Sequence, residues 1–146
     1  MKIMIINGPN INMLGIRETN LYGITFYQDL EKKIKIWAKE NKLKVEIHQS
    51  NYEGKIIDLI QKAYFKKFNG IILNAGGYTH TSISILDALK STNIPCIEVH
   101  LTDIEKREEY RKRSYISEYA FKVIKGLGIE GYHQALVSFK ENEIWF

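Results

Sequence analysis

Cysteine is almost missing from this chain. Cys96 stands alone among 146 residues, so no internal disulfide can form. A lone thiol also excludes paired-cysteine metal sites and makes a reducing cytoplasm the expected setting. It follows Pro95 in an apolar run, which suits a buried core thiol better than a nucleophile. Proline is scarce, at two residues, and no repeat, low-complexity stretch or linker interrupts the sequence. No apolar run approaches the ~20 residues that span a bilayer, so no membrane partner is expected. Met1-Lys2-Ile3-Met4-Ile5-Ile6 turns too soon into Asn7-Gly8-Pro9 to act as a signal peptide. Charge of one sign is not in large excess. A formal net charge of +4 suits a small anionic ligand at least as well as a nucleic acid.

Familiar ligand signatures are missing too. His48, His80, His100 and His133 fall in separate elements without paired ligand spacing, so no metal site is expected. Gly126-Leu127-Gly128 lacks the third glycine and the position of a dinucleotide fingerprint. Asn7-Gly8-Pro9 has no Gly-Lys-Ser/Thr behind it and is no phosphate loop.

What is present is core material: 45% of the residues are hydrophobic, and the length fits one domain. Lys2 to Ile6 reads as a central strand. Leu43 to His48, Gly70 to Leu73, Cys96 to Val99 and Ala120 to Ile124 follow as further strands. Between them lie helical patterns. Thr25 is a candidate N-cap for a helix to about Asn41, with Tyr27, Leu30, Ile34 and Trp37 at helical spacing. Ile56, Leu59, Ile60 and Ala63 mark a second helix, and Ser82 to about Lys90 a third. A charged fourth runs from Ile104 to about Arg113, and a last from about Ile129 to Phe139. Trp145 and Phe146, in the tail, are candidates to pack back on the body. Strand and helix alternate five times, which predicts an α/β fold: a five-stranded parallel sheet of order 2-1-3-4-5 with helices on both faces.

The segment from Asn74 to Ser82 sits between the third strand and its helix. It holds an amide, two glycines, a phenol, an imidazole and hydroxyls, more hydrogen-bonding groups than a plain turn needs. Two more strand-end loops are as rich. The first, Asn7 to Gly23, is long for a strand-to-helix connection and carries Asn10, Asn12, Arg17 and Tyr22, with Gly15 and Gly23 as candidate hinges. The other follows the fourth strand, with Glu98, His100 and Thr102. In a 2-1-3-4-5 sheet all three meet at the switch point.

Glu98 and His100 are two apart on a strand and point to one side, so the carboxylate can orient the imidazole and support its charged form. A strand-end histidine reaching solvent is the plain alternative. A guanidinium such as Arg17 beside Tyr22 lowers a phenol from its usual value near ~10, which makes a phenolate base feasible; a merely packed tyrosine is the other reading. His80 opens the third helix, where free N–H groups favour oxygen or an anion, or else is a simple helix contact. Thr102 and the N–H groups after His100 begin the charged helix, a natural cradle for a carboxylate. Arg107 and Arg111, a turn apart, either face an anionic substrate or join Glu105, Glu108 and Glu109 on a solvated face.

These residues resemble a known family. Gly8-Pro9-Asn10-Ile11-Asn12-Met13-Leu14-Gly15-Ile16-Arg17-Glu18 with Tyr22-Gly23 resembles the opening motif of the type II 3-dehydroquinate dehydratases. Gln49 to Gly54, Asn74 to Ser82, and Ile94 to Leu101 with Arg107-Glu108 and Arg111 resemble their later motifs, in order and nearly end to end. The resemblance implies a flavodoxin-like three-layer sandwich and a cofactor-free dehydration of 3-dehydroquinate to 3-dehydroshikimate. It also implies a homododecamer built as a tetramer of trimers. Tyr22 resembles the base at C2, Arg17 the lid residue that keeps it phenolate, and His100 the acid for the C1 hydroxyl, oriented by Glu98. Asn12 resembles the holder of the water that stabilises the enolate. Asn74, His80 and Arg111 resemble ligands of the substrate hydroxyls, and Leu101 and Thr102 offer N–H groups to its carboxylate. Asp87 resembles a residue that reaches a neighbouring subunit's site. A flavodoxin-like binding or signalling domain without catalysis is the competing reading, and a nucleotide-binding module is weakened by the missing phosphate loop.

The motifs depart from the family at Ala75-Gly76-Gly77, usually Pro-Gly-Ala, at Thr19, often proline, and by one residue missing after Gly23. These should loosen the lid or third loop and weaken substrate affinity or slow closure. Thr102-Asp103 replaces Ser-Asn, and Asp103, if it points inward, sets a negative charge by the carboxylate cradle.

Overall fold

The strand β1 (Lys2–Asn7) lies at the middle of the fold, and Ile3 to Asn7 on it are buried. Side chains alternate across a strand, so Ile3 and Ile5 enter one apolar cluster and Met4 and Ile6 the other. The computed structural model describes residues 1–22 and 25–142, with the side chain of Tyr22 outside that description. The proposed hinge at Gly23 and the packing of Trp145 and Phe146 also lie outside the described residues.

Parallel partners flank β1: β2 (Lys44–Gln49) on one side and β3 (Gly70–Asn74) on the other, followed by β4 (Cys96–His100) and β5 (Lys122–Lys125). The order is β2-β1-β3-β4-β5, as the alternation of elements predicts. The strand-to-helix loop after β1 carries a short helix, α1 (Thr19–Tyr22). Helix α2 (Tyr27–Glu40) covers one face of the sheet through Leu30, Ile34 and Ala38. On the other face, α3 (Glu53–Phe65) and α4 (Ile83–Thr92) pack through Ile56, Ile60, Ile85 and Leu89. Helix α5 (Glu130–Glu141) returns to the α2 side with Tyr132, Leu136 and Phe139 fully buried. Each such side chain contributes about 1.5–3 kcal/mol on leaving water, so the two clusters fix the three layers. Cys96 is buried in the second cluster, as its apolar setting implies.

Strands β1, β3 and β4 run one residue further than their apolar runs, ending on Asn7, Asn74 and His100. Those polar residues are held by the sheet ladder, with Asn7 opposite Asn74. The start of β5 moves the other way. Ala120 N–H bonds the Ile116 carbonyl, so the ladder begins only at Lys122.

Three sequence expectations need correction. Thr25 is not the N-cap of α2; Phe26 holds that position in extended geometry without a side-chain cap. His80 does not open α4 but closes the 3-10 turn Gly76–His80; Ser82 is the cap, its hydroxyl accepting from Ile85 N–H at 2.9 Å. No α-helix spans Ile104 to Arg113. The segment makes 3-10 turns at Ile104–Lys106 and Glu109–Arg111, then another at Ile116–Glu118. Extended backbone at Arg107 and Glu108 separates the first two, because this stretch has no apolar stripe to bury and tertiary contacts override propensity.

Candidate active site

The carboxyl ends of β1, β3 and β4 open into a cleft of about 290 Å³. Close backbone packing builds its floor. Gly8 N–H bonds the Asn74 carbonyl at 2.7 Å, and a Cβ on Gly8 would meet the Ala75 carbonyl oxygen at 2.4 Å. Across from it, Gly76 has φ +59 and abuts Pro9, a conformation that favours glycine. The loops after β1 and β3 are thereby locked together. The third loop is also fastened by Tyr78, whose hydroxyl donates to the Asn51 carbonyl at 2.9 Å.

At the back of the cleft, His100 Nε2 lies 2.6 Å from Glu98 Oε1. Glu98 is 0% and His100 5% exposed. Burial pushes the Glu98 carboxyl up, but the hydrogen bond and charge of His100 and the hydroxyls of Ser114 and Ser117 outweigh it and hold the group down at about 2. Ionised, it can only accept, so Nε2 carries the shared proton and Nδ1 is left for a further partner. Thr79 Oγ1 and Ser114 Oγ donate to Glu98 Oε1 at 2.6 and 2.5 Å, and Ser117 Oγ donates to Oε2 at 2.6 Å. A buried carboxylate needs such partners, and these come from both neighbouring loops.

His80 lines the same cleft. The Arg113 carbonyl can only accept, so His80 Nδ1 donates to it, at 2.6 Å. Burial lowers the pKa of the ring, against the pull of that carbonyl, and the charges of His100 and Arg111 add to the lowering. A neutral His80 then presents Nε2 as an acceptor.

Arg17, Arg107 and Arg111 also line the cleft. Arg17 pairs with Glu18 at 2.6 Å. Glu108 sits between Arg107, at 3.6 Å, and Arg111, at 3.1 Å, the latter contact lacking the alignment of a hydrogen bond. The two arginines therefore face the cleft, although no helix carries them there. Arg107 also donates to Thr102 Oγ1 at 3.4 Å.

The cleft thus brings together Arg17, Asn74, His80, His100, Leu101, Thr102 and Arg111, with Glu98 behind His100. Leu101 and Thr102 precede a three-residue 3-10 turn, so no helix N-terminus of useful length backs them, contrary to the sequence reading. Asp103 points away: its Oδ1 accepts from Glu105 N–H at 3.1 Å, and it lines a neighbouring depression. Asn12 is exposed and outside the lining, its Oδ1 accepting from Gln49 Nε2 at 3.3 Å. Asp87 is exposed on α4, away from this chain's own cleft. The side chain of Tyr22 lies outside the described residues. Among the described residues no group of three His, Cys, Asp or Glu side chains is placed to hold a metal ion.

The sequence reading missed Thr79, Ser114 and Ser117 as partners of Glu98, and Tyr132 as the partner of Asn74, with Asn7 accepting from Tyr132 behind it. For Asn7 the only signal was position, since Asn7 and Asn74 end neighbouring strands.

Residues 1–140 match the family described as Dehydroquinase class II. The 3-dehydroquinate dehydratase of Fusobacterium nucleatum is 54% identical over 139 residues, 94% of this chain and 95% of that one. That of Caldicellulosiruptor bescii is 51% identical over 140 residues, 96% and 97% of the two chains. The crystal structure of the type II dehydroquinase from Butyrivibrio crossotus superposes with a TM-score of 0.93 at 46% identity, over 97% of each chain. A match of this extent, on the same sheet order and nearly end to end, makes the chain a member of the class II dehydroquinase family.

Proposed function

We propose that this chain removes water from 3-dehydroquinate to give 3-dehydroshikimate, a step of the shikimate pathway, by paired base and acid chemistry in one catalytic domain. Tyr22, as phenolate, takes the C2 proton, which is acidic because it lies α to a ketone. The electron pair moves into an enolate. His100, as imidazolium, then gives its Nδ1 proton to the C1 hydroxyl, which leaves as water while the C1–C2 double bond forms. Tyrosine and histidine begin in opposite protonation states, and each ends with the proton count reversed.

The observation that carries this reading is the buried Glu98–His100 pair at the back of an arginine-rimmed cleft. The Glu98 charge lies 2.6 Å from the ring and attracts the positive charge on a donating His100. Arg17 is the residue that favours the phenolate of Tyr22, and Asn12 holds a water that stabilises the enolate oxygen. Asn74, His80 and Arg111 meet the substrate hydroxyls. The carboxylate goes to the N–H groups of Leu101 and Thr102, with the arginine field drawing it in. Asp87 is exposed as a residue reaching into a neighbouring site must be, and fits a homododecamer of four trimers. The setting is the cytoplasm. Thr19 and the residue missing after Gly23 weaken affinity or slow closure rather than abolish the chemistry, whereas the third loop is held against the loop after β1 and by Tyr78.

The test is the ultraviolet absorbance of 3-dehydroquinate mixed with the protein, because the product's carbonyl is conjugated to the new double bond. Growing absorbance that is lost in Tyr22→Phe and in His100→Ala supports the reading. A folded protein that produces no absorbance contradicts it.

A further inference from the structure

Asn74 is 3% exposed, yet it lines the cleft, and its carboxamide is held from behind. Its Oδ1 accepts from Gly76 N–H at 3.2 Å, and its Nδ2 donates to the Tyr132 hydroxyl at 3.1 Å. Tyr132 comes from α5, is 0% exposed, and has no direct place in the cleft lining. Its single hydroxyl proton goes to Asn7 Oδ1, at 2.5 Å. Asn7 is itself 0% exposed, and its Nδ2 donates onward to the Tyr27 hydroxyl at 3.4 Å. These bonds have one consistent direction. Because the Tyr132 proton is committed to Asn7, the tyrosine oxygen can only accept from Asn74. A flipped Asn74 amide would set its oxygen against that committed hydroxyl and its NH₂ against the Gly76 N–H. Both contacts would then fail.

We infer that Tyr132 is a positioning residue for Asn74: its buried hydroxyl fixes the amide orientation so that the second Nδ2–H, a donor and not the carbonyl, faces the substrate. The ligand atom Asn74 serves is then an acceptor, the oxygen of a substrate hydroxyl or alkoxide. The register places Asn7 opposite Asn74 at the ends of β1 and β3, so the amide is set by groups already fixed by the sheet and by α5. The strong upward push of burial on the Tyr132 phenol keeps it in the protonated form the relay needs.

This inference rests on Asn74 touching substrate, and a double-mutant cycle separates the two claims. Steady-state kcat and KM for 3-dehydroquinate are measured for the unaltered chain, Tyr132→Phe, Asn74→Ala and the double variant, with melting temperatures for each. Tyr132→Phe is expected to lower kcat/KM about tenfold or more in the unaltered background and less than about twofold once Asn74 is alanine. Tyr119→Phe is the structural control. It deletes a comparable hydroxyl bond, to the Ile94 carbonyl at 2.7 Å and outside the cleft, and is expected to lower the melting temperature without moving kcat/KM. Should Tyr132→Phe fail to fold, Asn7→Ala takes its place in the cycle. It frees the tyrosine proton to turn on Asn74 and carries the same expectation. Equal losses in both backgrounds, or no loss in the unaltered one, overturn the positioning role. If Asn74→Ala alone leaves kcat/KM unchanged while His100→Ala abolishes activity, the Asn74 contact falls, the inference falls with it, and the lyase reading stands.

Discussion

Ser117 donates its hydroxyl to Glu98 Oε2 at 2.6 Å, joining the turn Ile116–Glu118 to the buried carboxylate of β4. Ser114 does the same at Oε1. The loop that carries Arg107 and Arg111 to the cleft is therefore anchored on the same carboxylate that orients His100.

Removing one of these hydroxyls has a definite consequence. Ser117→Ala leaves a charged oxygen short of a donor, and a hydrogen bond to a charged group is worth about 1.5–3 kcal/mol. Urea unfolding at neutral pH should show a loss of that size, with an unchanged m-value. A loss below a few tenths would mean that water replaces the serine.

Glu98→Gln keeps the shape and removes the charge. Without the anion, turnover should fall about 100-fold, the scale of one acid–base group, with a smaller change in KM. Stability should respond to pH as well. Glu98 is held at about 2 against an ordinary 4.5, so its contribution is complete above 4.5 and is lost as pH falls toward 2. Melting curves across that window should be steeper in pH for the unaltered chain than for Glu98→Gln. Parallel curves would contradict the assignment.

His80 acts at a higher pH. Its folded value is depressed below the ordinary 6.5, so the unfolded chain takes up the proton first. Its contribution is present above 6.5 and declines as pH falls below it. His80→Gln should remove part of the stability difference between about pH 7.5 and 5.5. A variant with the full difference would show that His80 does not titrate this way.

Cys96 should be silent toward a thiol reagent such as a disulfide dye while the chain is folded. It is buried, and burial pushes the thiol up, so almost no thiolate forms. Labelling should follow unfolding in urea. Fast labelling of native protein would place the thiol at the surface.

Much of the fold was legible because it follows from simple periodicities. The apolar runs ending at Ile6, Leu73 and Val99 are strands buried on both faces, and the turn-spaced sets such as Leu30 and Ile34 are helix faces. The segment after His100 was not legible in this way. Its charges suit a helix, but the actual geometry is set by Ser114 and Ser117 reaching Glu98, which pairs residues 16 and 19 positions apart. Among site residues, those at strand ends were readable by position. The Tyr132 bond to Asn7 spans 125 residues, and local pattern carries no trace of it. Thr25 failed as a cap for a local reason: Phe26, in extended geometry, precedes the first helical residue instead.

The most direct measurement of the division of labour follows the C2 proton of 3-dehydroquinate in D₂O by NMR, above the buffer's own exchange rate. With Tyr22 as base and His100 as acid, His100→Ala should still exchange the C2 proton while forming no product. Tyr22→Phe should lose both exchange and product. Exchange that survives in Tyr22→Phe and disappears in His100→Ala would reverse the two roles and contradict the account.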